Sequence, residues 1–124
     1  QLECDAAFAA DIGREWLDVR EASPDELRAF AERHGRIMAK VPDSLSGNGI
    51  RSHRAAEVAD WAAFRDELIA GRQFLVEEFI TQHPAMASLC ATSVNSLRMI
   101  TFCEDGRTTL LAAVLKIGNG GDVD

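Results

Sequence analysis

Residues 95–117 read NSLRMITFCEDGRTTLLAAVLKI, two largely apolar runs on either side of one Asp-Gly pair. Asp-Gly accepts the positive backbone angles of a tight two-residue turn, so Glu104-Asp-Gly-Arg107 predicts an antiparallel hairpin with strands over 95–103 and 108–117. Any fold of this chain must accommodate that hairpin, and the remaining segments determine what accompanies it. Ser23-Pro-Asp-Glu26 is a helix start: serine caps, proline suits the first helical position, and glutamate three residues after the cap completes a capping box. Leu27, Phe30, Ala31 and His34 follow at helical spacing and Gly35 supplies the stop. A second helix is predicted from an Asp60 cap through Trp61, Phe64 and Leu68 to Gly71. Further strands are expected over 36–41, about 49–54 and 73–80. Helices interleaved with hairpins predict an α+β fold rather than a doubly wound parallel sheet.

A length of 124 residues with 47% hydrophobic and 27% charged residues fits one soluble domain that builds a core without staples. The net charge of −7, with no basic tract, argues against holding nucleic acid through many phosphates. A compact anion needs only two or three placed cations and stays open. Cys4, Cys90 and Cys103 are odd in number and contain no CxxC pair, which predicts neither a disulfide framework nor a zinc site and fits a reducing cytoplasm. No apolar run is long enough to span a membrane, and the N-terminus lacks the pattern of a signal peptide. The absent initiator methionine and the ending NGGDVD lead us to expect a fragment. Trp16, Trp61 and the phenylalanines are expected in the core, His34 as a capping or half-buried residue, His53 as a poor metal ligand between Arg51 and Arg54, and His83 as a turn former.

Three cations interrupt apolar strands: Lys40 in IMAKV, Arg98 in SLRMIT and Lys116 in AVLKIG. Ile37, Ala39 and Val41 face one side of their strand, and Met38 and Lys40 the other. On an open face such cations are simply solvated; on a covered one each requires an anionic partner. A shared polyphosphate would satisfy all three. The loop Asp43-Ser-Leu-Ser-Gly-Asn-Gly49 follows Lys40 with small residues and free N–H groups of the kind that gather around phosphate. An ordinary hairpin turn would carry the same residues, and the loop fits neither a P-loop nor a Rossmann turn. Glu77 and Glu78 in FLVEEFI are able to read a ribose hydroxyl or ligate Mg²⁺, but adjacent strand residues face opposite ways, so at most one serves a given site; a solvated edge is the alternative.

Taken in order, the lysine strand, glycine loop, FLVEEFITQHP, SVNSLR and LKIGNGG resemble the ATP-grasp superfamily, in particular the sugar-transfer-associated ATP-grasp proteins, over roughly residues 14–124. The resemblance implies a single partial domain, 1–124, with a mixed or antiparallel sheet, flanking helices and a glycine-loop hairpin: about 14–72 carries the loop and about 73–124 the nucleotide-binding strands. It implies a cytoplasmic ATP-dependent ligase that uses Mg²⁺, in which a substrate carboxylate is phosphorylated and the acyl phosphate is captured by a second nucleophile. Neither substrate is identified; the family name points to cell-envelope polysaccharide or exopolymer assembly. By motif match, Lys40 and Lys116 contact phosphates; Ser46, Gly47, Asn48 and Gly49 form a flap over them; Arg98 stabilises the transferred phosphoryl group; and the backbone of Glu77, Glu78 and Ile80 holds adenine. Metal ligands are not assigned, because the Asp-Asn that supplies them in the family would follow Gly121, and the chain ends at Asp122-Val-Asp124. The alternative is a non-catalytic binding or scaffolding domain of the same fold.

Overall fold

The computed structural model describes residues 13–44 and 49–119, together with Ala7. They form two units, divided between Phe79 and Ile80.

In the first unit, local chemistry sets the first helix, α1 (Pro24–His34). Ser23 Oγ accepts the Glu26 N–H at 3.2 Å, and Glu26 Oε2 accepts the Ser23 N–H at 2.8 Å, so two orphan donors of the first turn are satisfied reciprocally. At the other end Gly35, with φ of 70°, donates its N–H to Ala31 O and turns the chain directly into β2 (Arg36–Lys40). Ile37 and Ala39 of β2 are buried and the alternate residues half-buried, as an amphipathic strand requires. β2 pairs antiparallel with β3 (Arg51–Arg54) on one side and with β4 (Leu75–Glu78) on the other. The short strand β1 (Trp16–Asp18) pairs antiparallel with β4, giving the order β1-β4-β2-β3.

After β3 the chain makes a 3-10 turn, Ala55–Glu57, before α2 (Trp61–Ala70). Asp60 caps α2, its Oδ1 accepting the N–H groups of Ala62 and Ala63 at 2.9 and 3.0 Å. Leu27, Phe30 and Ala31 of α1 and Phe64 and Leu68 of α2 bury against Ile37, Ala39 and Val76, with Val19 completing the core. Gly49, at the entry to β3, has φ of 75°, and a Cβ there would lie 2.6 Å from Val41 Cγ2, so both backbone angle and space require glycine.

In the second unit the short helix α3 (Pro84–Ala87) is capped by His83, whose Nδ1 accepts the Ala85 N–H at 3.2 Å, which fits the turn-forming role expected of that residue. The chain then runs to the hairpin of β5 (Ser96–Glu104) and β6 (Arg107–Lys116). Asp105 and Gly106 turn it with φ of 49° and 72°, the paired positive angles of a type I′ turn. Ile100 pairs with Ala112 but Thr101 with Leu110, so Leu111 is an extra, bulged residue.

The α+β class is as expected, and every described strand pairing is antiparallel. The first unit extends through Phe79, because β4 is hydrogen-bonded between β1 and β2 and so belongs with them. Phe30 and Phe64 are core, but Phe102 is 52% exposed, because two strands by themselves bury neither of their faces.

Candidate functional site

Cross-strand register puts Lys40 and Glu77 of the first unit on the sheet face opposite the helices. Directly paired residues share a face, so Trp16, Met38 and Glu77 lie together, with Lys40 two residues beyond Met38 on the same side. Glu77 is 2% exposed, yet it is a carboxylate in the middle of a sheet. Lys40 Nζ pairs with its Oε2, and Arg14 Nη2 lies 3.3 Å from its Oε1. The two cations are respectively 18% and 24% exposed. A buried carboxylate is thus matched on both oxygens, as its desolvation demands, and the three groups together carry one net positive charge at the boundary with solvent. The anion that Lys40 requires is supplied within the protein, by a strand neighbour that only the register reveals.

The loop after Lys40 is described at Asp43, Ser44 and Gly49, whereas Ser46, Gly47 and Asn48 lie outside the described residues. Asp43 pairs with Arg72 at 2.6 Å, and the buried Gln73 donates from Nε2 to Gly49 O at 2.9 Å, which anchors the far side of the loop to the end of α2. Of the positions expected to hold a base by their backbone, Glu78 already donates its N–H to Glu15 O at 3.2 Å, while Ile80 lies past the ladder and is 40% exposed. The Glu78 side chain turns to the helix face, 3.4 Å from His34 Nδ1, whose Nε2 is 3.2 Å from Glu15. His34 is half-buried, as expected.

In the second unit Arg98 is paired with Val114, and Ser96 with Lys116. Arg98 and Lys116 therefore occupy diagonal positions on one face of the hairpin, with a separation of roughly 7–8 Å. Both are exposed, and neither makes an ion pair with a described residue. One anion of phosphate size or larger can bridge such a pair.

The residues of ITQHP and SVN that carry the motif are joined by hydrogen bonds. Gln82 donates from Nε2 to Cys90 O and Ser93 O and accepts the Asn95 N–H. Asn95 donates from Nδ2 to Met86 O and Cys90 O, and its Oδ1 accepts the Gly118 N–H at 2.9 Å. Two amides thus tie α3, the 90–93 loop and both ends of the hairpin together. In the sequence these roles are marked by no more than one glutamine before His-Pro and one asparagine before the strand. In the same loop the hydroxyls of Ser93 and Thr92 lie 3.4 and 3.5 Å from Cys90 Sγ and, with their backbone groups, bring the thiol down to about 6.

A hollow of about 440 Å³ opens between β3 and α2, lined by His53, Glu57, Asp60, Phe64 and Glu67 among others. His53 Nε2 is buried without a hydrogen-bond partner, and its ring meets Phe64 edge-on at 4.9 Å. Among the described residues no group of three or more His, Cys, Asp or Glu side chains is placed to hold a metal ion, and no helix is long and apolar enough to cross a membrane. No family model, curated protein or solved structure matches this chain.

Proposed function

We propose that this chain is the nucleotide-binding part of an ATP-dependent carboxylate ligase. The observation that carries the reading is the placement of Arg98 and Lys116 as diagonal neighbours on one face of β5–β6, with no ion pair to either among the described residues. Two neighbouring cations without an anion among the described residues favour a ligand that brings several negative oxygens, and a triphosphate does so. In the reaction, a substrate carboxylate oxygen attacks the γ-phosphorus, the bond to the β–γ bridging oxygen breaks, and ADP leaves with that electron pair. An acyl phosphate remains for a second nucleophile. Arg98 would offset charge on the transferred group and Lys116 would hold the phosphates, both acting as electrostatic stabilisers. Lys40 and Ile80 keep the phosphate and adenine roles implied by resemblance.

Magnesium normally accompanies the triphosphate, but the described carboxylates do not fit a site for it: Glu77 is taken by two cations and Glu78 by His34. No step is derived through the metal. A ligase of this kind works where ATP is made, which under this reading is the cytoplasm, and cell-envelope polymer assembly is the process the resemblance favours. The second reading, a non-catalytic binding domain, is favoured by the large apolar residues exposed on both hairpin faces, among them Leu97, Met99, Phe102 and Leu111.

Calorimetric titration of the full chain with Mg-ATP tests the first reading. Arg98→Ala and Lys116→Ala are each expected to weaken binding about tenfold, the order of one charge-assisted contact. Undiminished affinity in the double variant would sink it. Release of ADP that depends on added carboxylate and amine substrates separates ligase from binding domain.

A further inference from the structure

The arrangement of Arg14, Lys40 and Glu77 is asymmetric. Glu77 is 2% exposed and fixed in a central strand, while Lys40 sits at the strand end, 18% exposed, on a flexible four-carbon stem. The two cations do not compete for one atom: Lys40 takes Oε2 and Arg14 approaches Oε1. If Lys40 swings outward, the buried carboxylate keeps a cation.

We infer that the Lys40–Glu77 ion pair is exchangeable, so that Glu77 stands in for a ligand phosphate, and that Arg14 is the positioning residue that makes the exchange possible. This rests on the nucleotide reading and assigns within it two residues with no direct ligand contact through their side chains. Glu77 sets how much the unliganded state resists binding. Arg14 lowers that resistance by holding the charge Lys40 leaves behind. Without Arg14 the carboxylate would be stranded in the interior, and the pair would lock.

Lys40 and Lys116 are the two lysines of the chain, so labelling lysine with ¹⁵N gives two side-chain ammonium signals to follow. The full chain is titrated first with inorganic tripolyphosphate and then with Mg-ATP. Glu77→Gln should tighten binding at Lys40 roughly tenfold and Arg14→Gln should weaken it by a similar factor, the order of one close charge pair. The double variant carries the decisive result. If Arg14 acts through Glu77, the double variant binds like Glu77→Gln alone; if both act only through their long-range field, the effects add and cancel, and the exchange is overturned. A Lys40 signal that responds only after Glu77→Gln shows a locked pair and overturns it too. A response at Lys116 without one at Lys40 overturns the exchange and leaves the nucleotide reading standing, whereas silence at both lysines in all variants removes both. Arg14→Gln leaves Glu77 paired with Lys40, so it supplies a readout even if Glu77→Gln does not fold.

Discussion

His53 faces the core because it pairs with Ile37, and its Nε2 ends there without a partner. Burial dominates its titration and holds the imidazole below its ordinary value of 6.5; Glu67 and Glu57 pull the other way, and Arg51 adds to the depression. The folded ring is therefore neutral where the unfolded one already binds a proton. Stability from this group is present above 6.5 and lost as pH falls through the window below it. Thermal unfolding followed from pH 7 to about pH 5 should show a falling midpoint, and His53→Gln should flatten that slope. An unchanged slope in the variant would place the titration elsewhere. Asp18 and Glu26 are also depressed, chiefly by Arg20 and by the Ser23 N–H, so the stability they lend is lost only at lower pH, where carboxylates titrate. At this scale the sequence was partly readable. Lys40 was recognisable as a cation needing an anion, but its partner Glu77 depends on strand register, which pairs residues far apart in the chain and leaves no local pattern.

The elements that sequence identified are those whose ends are fixed by neighbouring residues. Ser23 and Glu26 begin α1, Asp60 begins α2, and Asp105-Gly106 turns the hairpin, all through contacts a few residues apart. Strand β1 carries no local signal, because Trp16–Asp18 is three residues long and becomes a strand only through β4. The cap of α1 gives the test at this scale. Ser23→Ala should cost about 1 kcal/mol, a fall of roughly 4–8 °C in the midpoint for a unit of this size, and Ser23→Asp should retain most of the stability. Equal losses in both variants would mean the hydroxyl acts through Glu26 alone.

Among the described residues of the whole molecule, the buried apolar ones run from Val19 to Val76, all within the first unit. In the second unit the described buried residues are Ser93 and Asn95, held by hydrogen bonds rather than by a hydrophobic core. A hairpin without a covered face is marginal in water. Amide hydrogen exchange should reflect this, with β2 and β4 the slowest and β5–β6 faster by on the order of a hundredfold or more. Equal protection in the two sets would show that the hairpin draws stability from contacts beyond its own strands. That difference was not legible beforehand, because the sequence of β5 and β6 is as apolar as that of any buried strand.

The register that places Trp16 directly opposite Glu77 has an optical consequence. The chain has two tryptophans, Trp16 beside the buried carboxylate and Trp61 edge-on to Phe64 at 5.8 Å, and both belong to the first unit. Both intrinsic fluorophores therefore report from the first unit, and Trp16 emission is a built-in reporter of the surroundings of Glu77. A spectral shift on adding a phosphate ligand, lost in Trp16→Phe and kept in Trp61→Phe, would make the departure of Lys40 visible without any label.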